Sequence, residues 1–181
     1  MPKNKLIIIS EAISNSKIRY GIAAYITPTF EREDLKHKKL SSNASELQVL
    51  QNDMLRLILG LKQKDHINMQ QVREKIKMFS VNQMAIYHSL LETYNIKRKS
   101  ASEQIKLKWE DKKVNKCSMS LRSSTNNDVK IPEKPSKKCT GFSYSGAKLF
   151  NILPGDIKKC SNQNKFKSMI KEWIWREIPS Y

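Results

Sequence analysis

Apolar residues along most of this chain recur at three- and four-residue intervals, the period at which side chains return to one face of an α-helix. Leu47, Leu50, Met54, Leu57, Ile58 and Leu61 form the longest such series, and Gly60 offers a residue suited to a left-handed helix end. Ser45-Glu46-Leu47-Gln48 has the form of a capping box, in which the serine accepts an orphan amide and the glutamine reaches back to the cap. The pattern predicts a helix that starts at this box with its apolar residues on one side. A second helix is predicted over 68–79, with Met69, Val72, Ile76 and Phe79 inward and Arg73, Lys75 and Lys77 largely outward. Ser80 and Gln83 repeat the capping-box form and open a third over 81–94, which carries Met84, Tyr87, Leu90, Leu91 and Tyr94. Connections this short favour an antiparallel bundle.

Toward the amino terminus, Leu6, Ile9 and Ile13 suit one helical face within an element over 5–26 that Pro28 closes. Residues 31–43 are charged and aperiodic, with a basic run at Lys36, His37, Lys38 and Lys39, and read as an exposed loop. The 46 residues from 95 to 140 hold 13 Lys+Arg against 5 Asp+Glu and little apolar spacing outside Ile105, Leu107 and Trp109. They read as a basic segment that is partly disordered on its own. Phe142-Ser143-Tyr144 alternates as a short strand would, ahead of Ser145-Gly146-Ala147-Lys148-Leu149-Phe150-Asn151 and Pro154. A last amphipathic helix uses Phe166, Met169, Ile170, Trp173 and Ile174, with Pro179 just beyond its end. The fold class is therefore mainly α: a helical bundle over 1–94, a basic flexible segment over 95–140, and a small C-terminal helical module with a short extended stretch over 141–181.

Charge adds a partner class to this picture. The 34 Lys+Arg against 17 Asp+Glu give +17 over 181 residues, an excess that repels itself unless a polyanion neutralises it. Residues 1–94 contribute +5 and residues 95–181 contribute +12, so the second half is the stronger electrostatic footprint and nucleic acid the natural partner. Cys117, Cys139 and Cys160 match neither a paired disulfide framework nor close zinc-ligand spacing, and read as free thiols in a reducing compartment. Leu6-Ile7-Ile8-Ile9 ends at Ser10 and Glu11, short of a signal peptide, and no run approaches a membrane span. The expectation is an intracellular protein, nuclear or cytoplasmic, with no membrane partner.

Catalytic chemistry finds little footing. Two-metal phosphoryl chemistry needs converging carboxylates, whereas the six aspartates are scattered and the densest acidic cluster, Glu31, Glu33 and Asp34, sits in the charged loop. His37, His66 and His88 lack a spaced partner that would mark a triad or a metal site, and the five glycines form no phosphate loop. No catalytic residue, metal ligand, cofactor or small-molecule substrate is expected. What remains is cations interleaved with aromatics: Trp109 amid Lys106, Lys108, Lys112 and Lys113, and Trp175 beside Arg176. Lysines track phosphates while aromatic rings stack on unpaired bases, although Trp109 is equally suited to packing.

The order of several motifs resembles the C-terminal part, thumb and post-thumb, of reverse transcriptases from non-LTR (LINE-type) retrotransposons. They are Ser16-Lys17-Ile18-Arg19-Tyr20-Gly21, Leu47 to Gly60, Leu121-Arg122-Ser123, Phe142 to Pro154, and Phe166-Lys167-Ser168-Met169-Ile170-Lys171. The Tyr-x-Asp-Asp polymerase motif, the fingers and palm, and the amino-terminal endonuclease have no counterpart here, and the cysteine spacing does not reproduce the zinc knuckle of some relatives. The resemblance implies a thumb-like bundle that positions template and primer without making bonds. On that reading Lys17, Arg19, Arg56, Lys62 and Lys64 contact phosphates of RNA or an RNA–DNA duplex. Lys97, Arg98, Lys99, Lys106, Lys108, Trp109, Lys112, Lys113, Lys137 and Lys138 clamp the template further along. Two alternatives stay open: a protein-interaction module that docks on the polymerase core of a full-length element through apolar faces near Leu57 and Trp173, and a decayed remnant of an element without function.

Overall fold

A computed structural model of the chain describes residues 3–10, 12, 15–26, 28–30, 41–62, 65–98, 128, 129, 131 and 142–180. Among them the chain is mainly helical, as the periodicity predicts, and forms no strand. No helix of the described residues is long and apolar enough to cross a membrane. The loop expected over 31–43 and the basic segment over 95–140 lie almost wholly outside the described residues.

The chain divides into two compact units, Met1–Ile86 with Ile178–Tyr181, and Tyr87–Glu177. In the first unit, α1 (Lys3–Ser10), α2 (Ser16–Arg19) and α3 (Ile22–Tyr25) replace the single element expected over 5–26. The break at Gly21 has a local cause. Its φ of 72° lies in the left-handed region that glycine enters without penalty, and a Cβ there would stand 2.7 Å from the Tyr25 ring. The inward residue of α1 is Ile7, packed with Leu55, Met69 and Met78, while Ile9 is exposed.

Helix α4 (Ser42–Leu59) begins before the predicted box. Ser41 is the cap, its Oγ accepting from the Ala44 amide at 3.4 Å, and Ser45-Glu46-Leu47-Gln48 already lies within the helix. Gly60 ends it with φ 68°, as predicted. The inward face is not centred on that apolar side. Ala44, Gln48, Gln51 and Leu55 are buried, Leu47 is half-buried, and Leu50 and Leu57 are 62% and 82% exposed. Two glutamines explain the rotation. Gln48 Oε1 accepts from the Val81 amide at 2.9 Å, and Gln51 Nε2 donates to the Phe79 carbonyl at 3.0 Å and to Asn15 Oδ1 at 3.4 Å. Gln48 Nε2 in turn donates to Gln51 Oε1 at 2.9 Å and to Asn52 Oδ1 at 3.1 Å. These groups surround the start of the next long helix, where backbone donors lack helical partners.

Helix α5 (Met69–Ile76) is capped by Asn68, which accepts from the Gln70 amide at 3.0 Å, and ends at Lys77 in the left-handed region. Met69 faces inward with Val72 and Ile76 as predicted, but Arg73 is buried rather than outward. Ahead of α6 (Val81–Lys97) the second capping box forms. Ser80 Oγ accepts from the Gln83 amide at 3.3 Å, and Gln83 Oε1 accepts from the Ser80 amide at 3.1 Å. Ile22, Ile26, Ala44, Val81, Met84 and Ala85 make the larger apolar cluster of this unit. Residues 178–180 join it through Gln83 Nε2, which donates to the Ile178 carbonyl at 2.8 Å.

In the second unit the strand expected at 142–144 is overturned: Phe142–Ile152 is helix α7. Ala147, Leu149, Phe150 and Leu153 are buried at helical spacing, which outweighs the three-residue alternation ahead of them. Asn151 fastens this helix to Val129, with its Nδ2 donating to the Val129 carbonyl and its Oδ1 accepting from the Val129 amide, both at 2.8 Å. A short α8 (Gly155–Lys159) follows Pro154, and α9 (Gln163–Glu177) buries Phe166, Ile170, Trp173 and Ile174 as the sequence predicts. The Phe166 ring stacks on Tyr94 of α6 with centroids 4.1 Å apart.

Candidate functional site

The described cations expected to meet nucleic acid fall into three settings. Lys17 and Arg19 sit on α2, where a four-residue helix and the turn at Gly21 hold both side chains exposed. Lys17 also lines an open cleft of about 230 Å³ whose inner wall is Ile18, Ile22, Ile26 and Leu47. Tyr20 and Tyr25 complete its lining, 86% and 74% exposed.

Arg56 and Lys62 lie at the C-terminal end of α4. Arg56 Nη1 donates to the carbonyls of Lys62 and Asp65 at 3.1 and 3.2 Å, so its guanidinium closes the loop behind the Gly60 turn. The Lys62 amide donates to Asp65 Oδ2 at 2.8 Å, and its side chain is exposed. Lys62 is thus the member of this pair better placed to meet a phosphate. Lys64 lies outside the described residues.

The third setting is the end of α6 in the second unit. Lys97 Nζ stands 5.3 Å from the centre of the Phe150 ring, and the Arg98 guanidinium stands 5.5 Å from that of Tyr94. Arg98 Nη2 donates to the Cys160 carbonyl at 2.9 Å, and the Tyr94 hydroxyl donates to the Ser161 carbonyl at 2.7 Å. Cations at a helix C-terminus also complement the helix dipole, so both side chains have structural work within the unit. Lys99, Lys106, Lys108, Trp109, Lys112, Lys113, Lys137 and Lys138 lie outside the described residues.

Two further bases carry charge inside the protein rather than on its surface. Lys158 is buried, its Nζ donating to Asp128 Oδ1 at 2.7 Å and to the Asn151 carbonyl at 2.6 Å. Arg73 is 1% exposed, its Nε donating to Ser180 Oγ at 3.1 Å and its Nη1 to Asn52 Oδ1. Burial lowers the Arg73 pKa from its ordinary value to about 10, against the opposing pull of Glu74, and leaves it charged at neutral pH. The excess of +17 therefore overstates what the surface offers a polyanion.

Periodicity passed over Tyr20 and Tyr25 as residues of one continuous helix. The signal that marks them is the glycine between them next to Lys17 and Arg19, the same interleaving of cation and aromatic that singles out Trp109. Trp175 is half-buried, and Arg176 beside it pairs with Glu177 at 2.8 Å. Cys160 is a buried thiol that donates to the Asn162 carbonyl, while Cys117 and Cys139 lie outside the described residues. Among the described residues no group of three or more histidines, cysteines or carboxylates is placed to hold a metal ion.

Comparison of the chain with protein families, with curated proteins and with solved structures finds no match.

Proposed function

We propose that this chain is a nucleic-acid-binding helical module that holds RNA or an RNA–DNA duplex through its basic residues and makes no bonds itself. The resemblance to the thumb and post-thumb region of a non-LTR retrotransposon reverse transcriptase suggests where such a module would act, beside a polymerase core that this chain does not supply. The observation that carries the reading is the excess of +17, with Lys17 and Arg19 exposed together on α2. Contacts of this kind go to phosphates and are largely insensitive to base sequence.

Binding of the purified chain to labelled single-stranded RNA, RNA–DNA duplex and double-stranded DNA over a salt series tests it. Neutralisation of about three phosphates by Lys17, Arg19 and Lys62 gives a slope of roughly −2 to −3 in log affinity against log salt, steeper if other lysines join. Lys17→Ala with Arg19→Ala should flatten the slope by about 1.5 to 2. Absence of binding at low salt, or binding indifferent to salt, would overturn the proposal.

One observation favours a second reading. Leu50 and Leu57 project from α4 into solvent, as a helix docked on a protein partner would have them before the partner arrives. A docking module of this kind keeps its partner in high salt, where the nucleic-acid reading requires release.

A further inference from the structure

We propose that the cleft formed by α2, α3 and the start of α4 receives one unstacked base of a single-stranded nucleic acid, with Lys17 on an adjoining phosphate. This inference rests on the nucleic-acid reading above and specifies its ligand. The inner wall is apolar and firmly placed: Ile22 and Ile26 are buried and pack with Ala44, Val81, Met84 and Ala85, with Ile18 and Leu47 against the same cluster. At about 230 Å³ the cleft is smaller than the 300–1,000 Å³ typical of drug-sized ligands, and suits one flat heterocycle better than a peptide helix.

Its outer lining has the two properties that a base and its backbone need. Tyr20 and Tyr25 present aromatic rings to solvent, and stacking on such a ring is indifferent to which base arrives, since every base has a π-face. Lys17 shares the same lining, so positive charge stands where a phosphate beside the base would lie. Charge complementarity selects this occupant over a second copy of the chain, which brings another +17 to the contact. Gly21 keeps the platform in place. Its left-handed backbone turns the chain between the two tyrosines, and the Tyr25 ring occupies the space that a side chain at 21 would need. Bases paired in a duplex have their faces covered, so the cleft discriminates in favour of single strands.

The test uses the full chain and a single-stranded RNA of about twelve nucleotides, with a fluorophore at one end and one internal 2-aminopurine, beside the matching RNA–DNA duplex labelled at its end. Anisotropy of the end label reports binding, and quenching of 2-aminopurine reports stacking. The wild-type chain should quench the base on binding. Tyr20→Ala with Tyr25→Ala should weaken single-strand binding about tenfold and abolish that quenching, while leaving duplex affinity and the salt slope unchanged. Tyr20→Phe with Tyr25→Phe, which keeps both ring faces, should restore wild-type values, and Gly21→Ala should reduce quenching by displacing the Tyr25 ring. If the chain binds with the expected salt dependence but the double alanine variant holds and quenches the strand as the wild type does, the cleft proposal is wrong and the broader reading stands. If no labelled nucleic acid binds at low salt, both fall.

Discussion

Helices α4 and α9 carry nearly the same message in sequence and meet opposite fates. Each places apolar residues at three- and four-residue intervals, over about four turns in α4 and a little over two in α9. Helix α9 turns that series inward as Phe166, Ile170, Trp173 and Ile174, whereas α4 leaves Leu50 and Leu57 in solvent and buries Gln48 and Gln51. The difference lies in what each helix faces. The Tyr94 ring awaits Phe166, and apolar surface meets apolar surface. Gln48 and Gln51 meet the Val81 amide and the Phe79 carbonyl instead, backbone groups at a helix entrance that a leucine cannot satisfy. Hydrophobic period locates a helix; the polar needs of its neighbours can decide which face turns in.

The largest effect expected from this contrast is in α9. Phe166→Ala should cost about 3–5 kcal/mol, since it opens a cavity in a fully buried site and removes the ring stacked on Tyr94. Urea unfolding followed by circular dichroism measures it. A loss below about 1 kcal/mol would mean that the α9 face is not the core it resembles.

Next in size, and more informative in sign, is Gln51→Leu in α4. If apolar burial alone ruled the inward face, leucine there would stabilise the protein. Because the change removes the Gln51 bond to the Phe79 carbonyl and takes an acceptor from Gln48, the expected result is a loss of about 1–3 kcal/mol. The same denaturation measurement reads it, and a gain in stability would mean that the polar groups at the start of α6 do not set the rotation of α4.

What the sequence revealed and concealed follows the same division. The helices around Met69, Met84 and Phe166 are legible from their apolar period, and the Ser80–Gln83 box ahead of Met84 closes as its spacing demands. The strand at Phe142 and the unbroken first helix were misread, the one because three alternating residues weigh less than the helical spacing behind them, the other because a single left-handed glycine outweighs apolar period. Of the candidate site, Lys17 and Arg19 are named through the motif from Ser16 to Gly21 that carries the resemblance. The internal roles of Arg56 and Arg73 could not be named, since both depend on partners set by the fold: carbonyls of a loop for one, Asn52 and a serine 107 residues away for the other.

The smallest effect completes the comparison from its other side. Leu57 belongs to the regular apolar series of α4 yet is 82% exposed, so Leu57→Gln removes little buried surface, and leucine and glutamine have similar helix propensities. The expected change is within about 0.5 kcal/mol, or no more than about 2 °C in Tm for a chain of this length, against several kcal/mol for Phe166 at an equivalent point of the α9 pattern. Measured at two protein concentrations, the variant also separates two causes of a larger loss. A loss above about 1 kcal/mol that is independent of concentration means Leu57 is buried within the chain, and the contrast between α4 and α9 fails. A loss that grows with concentration means copies of the chain cover the stripe, because association stabilises the wild type by mass action and the variant forgoes it. In that case the exposed leucines of α4 are an interface, and the rotation that buries Gln48 and Gln51 is what presents it.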